Sequence, residues 1–470
     1  MGGGLTQLVL KGQLDEYINI NPDISFYKYA YKRHTNFSME SIRLNFDTAP
    51  IISNNNTIYR CKINRLADLL SNTYLIFTLP DIYSTDKYRF KWVEHVATQL
   101  IKKITITVGA TIIDNLTGEF LLILNELSLL TKDNYNKLTG NVTDFIEPKI
   151  TKPIIRINNN RFAETFYPEG SKVLNIPSIK SREIIIPLPF WFTKNPSLAL
   201  QILRLQGEET YINLELENIE NLYQVYSKDL DMYISPSFYN DLYSSSKINI
   251  NTFINTTNLN AYIEANYIFL DNDERLILMG QCITRLLIEQ TFISNNYSIT
   301  SGDGSSSTIE LMGANIHIKE IFWTLKRDDY HKYNTNLNYT NLIPENKDNP
   351  ILKSAIIYFN KNINRLEEKD ANYYNILQPY QHHTSIPKQG IYCYSFGIFP
   401  EKWQPTGSYN AASVTTSLCL YVNGGNNDLI NEKLIKFNKQ PYNYNYEVKY
   451  YIKGYNIIEF NSGVASLKYI

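Results

Sequence analysis

At 470 residues the chain exceeds one ordinary hydrophobic core and fits two or three domains. Lys+Arg total 45 against Asp+Glu 46, a formal net charge of -1, which excludes bulk electrostatic attraction to nucleic acid or anionic lipid. Charged residues make up only 19% and there are 37 tyrosines, a composition that suits subunit contacts, where ions are costly to desolvate, and points to an obligate oligomer.

The first residues, "MGGGLTQLVLKGQ", lack the basic and apolar regions of a secretion signal, so the chain reads as a soluble product of the cytosol. "MGGGLT" fits an N-myristoylation acceptor, with Gly2 exposed after Met removal and Thr6 in place, so Gly2 is a candidate lipidation site on an N-terminal arm over 1–21. From residue 22 to 220 the pattern predicts a first β domain. In "KKITITVG", Ile104, Ile106 and Val108 share one face and Lys103, Thr105 and Thr107 the other. "GEFLLILNELSLL" puts Phe120, Ile123, Leu124, Leu127 and Leu130 on one helical stripe, and at this length it falls short of a bilayer. "EIIIPLPFWF" is apolar on both faces, with Pro187 and Pro189 placing it at a sheet edge or strand end. "TYINLELENI" sets Ile212, Leu214 and Leu216 against Tyr211, Asn213, Glu215 and Glu217.

Residues 221–260, around "VYSKDLDMYISPSFYNDLYSSSKININ", hold no sustained period and read as a linker before a second domain over 261–470. That half offers strands at "ANYIFL", "TRLLIEQTFI", "IKEIFWTLK", "KSAIIYF", "IYCYSFGIF", "TTSLCLYV", "EVKYYIKGY" and "VASLKYI". "DNDERLILMG" predicts a short helix, with Asp271 as N-cap, Glu274 three residues on and Gly280 as a stop. "SNNN" near residue 54, "SGDGSSS" near 304 and "NGGNND" near 425 read as loop tips. Many short strands broken by Asn, Gly, Ser and Pro make the fold class all-β sandwiches. "IIIPLPFWFTKNP" and "YSFGIFPEKWQP" are alike about Pro189 and Pro400, and "IKKITITV" and "IHIKEIFW" recur at a similar interval, Ile104 to Ile321, which favours two like domains in tandem.

No catalytic, cofactor or metal constellation emerges. Cys61, Cys282, Cys393 and Cys419 stand apart and suit free thiols. Among His34, His95, His317, His331, His382 and His383 there is no H-x-H, and in an extended strand adjacent His382 and His383 point apart, so they read as a hydrogen-bonded structural pair. G-x-S-x-G and Walker patterns are absent. "LEEKD", Leu366 to Asp370, reads as a solvated face rather than a glycosidase pair. Trp191 and Trp403 follow strand ends, where a lectin stacks a sugar but where end packing is commoner. Sequons at Asn55, Asn115, Asn141, Asn255, Asn296 and Asn338 are expected by chance in a chain this rich in Asn. In "IYCYSFGIF" the large Tyr392, Tyr394, Phe396 and Ile398 alternate with the small Cys393, Ser395 and Gly397, a packing strand.

Taken together, "GGGLTQLVLKGQLDEYI…NPDISFYKYAYKRHTNFSMESI", "IKKITITVGATIIDNLTGEFLLILNEL", "IIIPLPFWFTKNPSLAL", "LQGEETYINLELE", "NYIFLDNDERLILM…LLIEQ", "NIHIKEIFW" and "YYNILQPYQHHTSIPKQGIYCYSFGIFPEKWQPTG" resemble, in order over nearly the whole chain, the major capsid proteins of nucleocytoplasmic large DNA viruses. The resemblance implies two tandem eight-stranded jelly rolls and a homotrimer of pseudo-hexagonal outline. It implies a structural, non-enzymatic subunit of an icosahedral virion shell, assembled in the host cytoplasm with no direct nucleic-acid contact. Implied partners are neighbouring capsomers, minor capsid or cement proteins, the penton, and the inner viral membrane through the N-terminal arm. Departures stand at "SYNAASVTTSLCL", where the family runs through a Cys-Asn and Ser-Arg-Ile-Asp-like stretch, and at Gly109-Ala110, often Gly-Gly; they suit a diverged paralogue forming a lesser part of the shell. The alternative is a carbohydrate-binding or glycan-processing jelly-roll protein in host attachment.

Overall fold

The alternating stretches of the sequence become the strands of two sandwiches. The structure, a computed structural model, describes residues 3–52, 57–82, 89–142, 154–157, 161–164, 179–243, 259–302, 304–311, 316–343, 345, 349–361, 363–425 and 444–469. Gly2, Asn55, Asn255 and the loop tips near residues 54 and 425 fall wholly or partly outside them. Counting sandwich strands alone, the first unit contains β1 (Phe37–Asn45), β2 (Ile58–Lys62), β3 (Leu69–Leu79), β4 (Ile101–Val108), β5 (Thr111–Leu116), β6 (Arg182–Pro187), β7 (Thr210–Leu216) and β8 (Tyr262–Leu270). The second contains β9 (Ile283–Ile293), β10 (Ser306–Glu310), β11 (His317–Arg327), β12 (Leu352–Phe359), β13 (Ile363–Asp370), β14 (Ile391–Ser395), β15 (Thr416–Val422) and β16 (Tyr446–Asn461).

The first unit's sheets run β1-β8-β3-β6 and β2-β7-β4-β5; the second's main paths run β9-β16-β11-β14 and β10-β15-β12-β13. Subtracting eight from each label of the second pair reproduces the first. That shared order is the jelly roll, and the chain is a double jelly roll. Register follows from the apolar faces: Ile212 lies opposite Ile106 and Leu214 opposite Ile104, all four buried. β6 is an edge strand that ends at Pro187, as a proline that cannot donate to the ladder requires.

Five helices matter below: α1 (Gly3–Val9), α2 (Gly118–Leu127), α3 (Trp191–Lys194), α4 (Asn272–Gly280) and α5 (Gln378–His382). The apolar stripe of α2 stays helical to Leu127; Ser128 is extended and starts a second helix, Leu129–Leu138. No helix among the described residues is long and apolar enough to cross a membrane.

The structure corrects four expectations. "ANYIFL" is a strand, but β8 completes the first roll rather than opening the second, pairing β1 from Phe37↔Leu270 to Asn45↔Tyr262 and β3 on its other side. Periodicity marks a strand without naming its hydrogen-bonding neighbour. The predicted linker is also folded: Tyr223–Ser227 and Met232–Ile234 form a sheet with Phe90–Trp92, Pro236–Leu242 is helical, and Tyr223, Val225, Leu230 and Ile234 are buried. Strands of three to five residues are too short for alternation to show. The connection between rolls is α4, whose N-cap Asp271 accepts from Asn272 N at 2.8 Å. Third, Ile104 and Ile321 are not equivalent, since β4 and β11 occupy different jelly-roll positions, whereas Pro189 and Pro400 follow equivalent strands, β6 and β14, each the last in its sheet's main path. Fourth, the arm reaches residue 36, with nearly every side chain from Gly3 onward exposed.

Candidate functional site

Where the two rolls meet, one hydrophobic cluster runs from the first core into the second, including Phe120 and Phe192 on one side and Phe322, Tyr451 and Phe460 on the other. α2 sets this seam. Thr117 caps it, accepting from Phe120 N at 3.4 Å, and Gly118 lets the first turn press onto the Thr98 and Ile101 carbonyls. Phe120 stacks on Tyr451 (centroids 5.0 Å apart) and meets Phe322 edge-on at 6.0 Å. Glu119 is thereby thrust into the second roll. It pairs with Lys326 Nζ (2.8 Å) and accepts from Tyr451 OH (2.9 Å), Tyr339 OH (3.1 Å) and Thr324 Oγ1 (3.2 Å). Burial alone would raise the Glu119 carboxyl; the Lys326 and Lys449 charges and the hydrogen bonds from Lys326 and Tyr451 override it and hold the pKa at about 2.

A second ionic group lies along β5, α3 and β9. Glu289 on β9 binds Lys194 of α3, Lys319 of β11 and Lys453 of β16, the last at 3.1 Å. Burial pushes Glu289 upward, but three ammonium groups drive it well below the carboxylate range. Next to it Asp114 accepts from Thr291 N (3.0 Å) and Asn115 N (2.9 Å), while Gln290 Nε2 donates to Ile113 O (2.9 Å). Burial raises Asp114 to about 7 despite those bonds. Arg204 adds donors to Thr284 and to the Gln281 (2.6 Å) and Cys282 (3.1 Å) carbonyls.

His382 and His383 close α5 rather than lie in a strand. His382 Nδ1 meets the Ile398 carbonyl at 3.1 Å, whereas His383 is clamped by Glu320 (Nε2, 3.0 Å) and Glu401 (Nδ1, 3.3 Å). Burial would lower His383; the Glu320 charge foremost, with the hydrogen bonds that the ring donates to Cys393, Glu320 and Glu401, raises it to about 11. Cys, His and Glu thus meet as in a thiol enzyme, yet an imidazole held as a cation cannot take the Cys393 proton, and burial pushes that thiol up. Among the described residues no three His, Cys, Asp or Glu side chains gather as a metal site. His383→Ala should cost about 3 kcal/mol in urea unfolding at pH 7, because Glu320 is left buried without its counter-charge; His382→Ala should stay within about 0.5 kcal/mol. Since His383 is raised, its contribution is full below about pH 6.5 and is lost as pH rises through about 11.

The two tryptophans separate sharply. Trp191 is 1% exposed and followed by Lys194 at the seam; Trp403, at the matching place after β14, is 47% exposed. A buried Trp191 cannot stack a sugar. β14 ends at Ser395, and Ile398, predicted to pack, faces solvent, as do Phe399, Ile376 and Tyr380. "LEEKD" is the largely exposed edge strand β13. Sequence reasoning missed Glu119, Glu289 and their lysines. The available signal was Lys449 and Lys453 flanking Tyr451 on one strand face in a chain sparing of charge.

A family model described as the major capsid protein N-terminus matches residues 25–271, and one described as the large eukaryotic DNA virus major capsid protein matches 274–466. The chain belongs to the major capsid proteins of large eukaryotic DNA viruses. The break between the two matches falls at the start of α4, with β8 on the first side. This capsid protein is 28% identical to the major capsid protein of Phaeocystis pouchetii virus and 28% to that of Pyramimonas orientalis virus, each over 100% of both chains. Its fold is similar to that of PBCV-1 VP54 (TM-score 0.68, 21% identity, 95% of this chain and 100% of that one). It is also similar to the Faustovirus major capsid protein (TM-score 0.66, 10% identity, 95% and 94%). The family is structural, and the sugar-binding reading gains no support from it.

Proposed function

We propose that three copies of this capsid protein close into a ring of six jelly rolls, a pseudo-hexagonal capsomer that tiles the facets of an icosahedral shell. One observation carries this reading: the seam is head-to-tail, and both of its surfaces recur uncovered. Within the chain, the outer face of β9-β16-β11 takes up β5, α2 and α3 of the first roll. The first roll's equivalent face begins at β1, where Phe37 and Met39 are exposed. The second roll's equivalents of β5, α2 and α3 are β13, α5 with the turn before it, and the segment after β14, where Ile363, Tyr380, Phe399 and Trp403 are exposed. A head-to-tail contact between like units forms a ring when its rotation closes, and two rolls per chain make a sixfold ring a trimer. The same reading gives the capsomer neighbouring capsomers, minor capsid and penton proteins as partners, places the arm toward the inner viral membrane, and sets assembly in the host cytoplasm.

Native mass spectrometry should show three copies of 54.6 kDa, about 164 kDa. Joint Tyr380→Asp and Trp403→Asp substitution should give a monomer with wild-type secondary structure by circular dichroism, since both side chains face solvent in the single chain. A wild-type monomer at micromolar concentration would sink the ring.

A further inference from the structure

We propose that the N-terminal arm of one copy straps onto helix α4 of a second copy. Among the described residues, the arm and the helix are conspicuous apolar surfaces outside the ring contact. In the arm, Phe26, Tyr29 and Tyr31 are 90%, 81% and 85% exposed, and its hydrogen bonds, such as Asn19 to Asp15 and Lys28 N to Ser25 O, run to other arm residues. On α4, Arg275 turns inward to Asp68 (2.8 Å), which leaves Leu276, Ile277 and Met279 facing water, with Ile283 beyond them. Exposed apolar patches of this kind mark contact sites.

The two surfaces match in pattern, length and charge. "FYKYAYKR", residues 26–33, alternates Tyr27, Tyr29 and Tyr31 with Lys28, Ala30 and Lys32, so an extended arm presents rings on one face. Tyr27 to Tyr31 spans about 13 Å at the strand rise, and the nine residues of α4 span about 13 Å at the helix rise. Lys28, Lys32 and Arg33 make the arm segment basic, whereas the first turn of α4 carries Asp273 and Glu274 after its cap Asp271. That acidic rim fits the arm and repels an anionic lipid surface.

The occupant is a second copy because the arm leaves its own helix bare. Its root is fixed beside α4 by the Phe37↔Leu270 pairing, yet neither the arm nor the helix is covered. The root also lies on β1, the face that the ring reading gives to the next copy, and the inference rests on that reading for a neighbour to hold.

The test uses full-length protein with Cys282, which is exposed, replaced by Ser. One tagged copy carries Tyr29→Cys and an untagged copy carries Leu276→Cys; the two are co-assembled and oxidised. The expected product is a disulfide-linked pair of one tagged and one untagged chain. Lys28→Glu, Lys32→Glu and Arg33→Glu together should cut its yield about ten-fold, and Asn272→Lys with Asp273→Lys on the acceptor should restore it. If the link fails between the two copies but forms within a third variant carrying both cysteines in one chain, the inference is overturned, as it is by an absent link with the arm bound to phosphatidylserine vesicles. Native mass separates the two failures: a 164 kDa species without the link defeats the strap alone, and loss of that species defeats the ring.

Discussion

Glu289→Gln is expected to destabilise the capsid protein by about 4 kcal/mol or more in urea unfolding at pH 7. The glutamate is the common partner of Lys194, Lys319 and Lys453, contributed by α3, β11 and β16. Removing its charge leaves three lysines crowded together, Lys319 and Lys453 largely covered, with Asp114 and Glu320 as the remaining nearby carboxylates. Lys194 already feels this crowding: burial first, then Lys453 and Lys319, bring it down to about 7 even with Glu289 in place. Once the carboxylate is gone Lys194 is driven to give up its proton, and the uncompensated charges left on Lys319 and Lys453 set the loss. A second substitution separates charge from packing. Lys453→Met in the Glu289→Gln background should recover part of the loss, because it removes one unpaired cation while keeping volume. If Glu289→Gln unfolds within 1 kcal/mol of wild type, the lysines are not held by this carboxylate.

The same logic fixes the acid limb. Glu289 and Glu119 are both held below their ordinary values, so each contributes stability that is present above about pH 4.5 and lost as pH falls toward their folded values. Asp114 runs the other way. Its folded value is raised, so its contribution is full below about pH 4 and fades as pH rises through about 7.

The fold was legible where one face of a strand is buried and the other wet. β7 shows this, since its alternation is the burial pattern itself, and β4 follows it through Ile104, Ile106 and Val108 against exposed Lys103, with Thr105 covered as the exception. It was illegible where the deciding fact is a partner rather than a pattern. β8 reads equally well as the last strand of one roll or the first of the next, and only its pairing with β1 and β3 assigns it. The seam escaped for a related reason. Glu119 opens an amphipathic helix, where acid is ordinary at an N-terminus, and nothing nearby in sequence announces Lys326 or Tyr451, both more than two hundred residues on. The Trp191 and Trp403 pair was half legible: the repeat was visible, but that one copy is covered and the other bare depends on the seam.

Gly118→Ala should be as damaging as any single substitution outside Glu289. A Cβ at this position would fall deep inside the Thr98 carbonyl oxygen and 2.8 Å from that of Ile101, both backbone atoms that no rotamer change can move. The added methyl is small, so propensity favours alanine in a helix, and only the overlap opposes it. α2 must then slide off β4, and Glu119 and Phe120 go with it. The expected cost is about 4 kcal/mol, read as a lower urea midpoint. Glu119→Gln isolates the charge: it keeps the helix seated, costs about 3 kcal/mol at pH 7, and is nearly silent at pH 2, where wild-type Glu119 is itself half protonated. Were Gly118→Ala to unfold like wild type while Glu119→Gln did not, the seam would depend on the ion pair without the close approach of α2. The geometric stake is larger than the stability: in the proposed ring the angle between the two rolls of one chain recurs between chains, and α2 is packed into the seam where that angle is set.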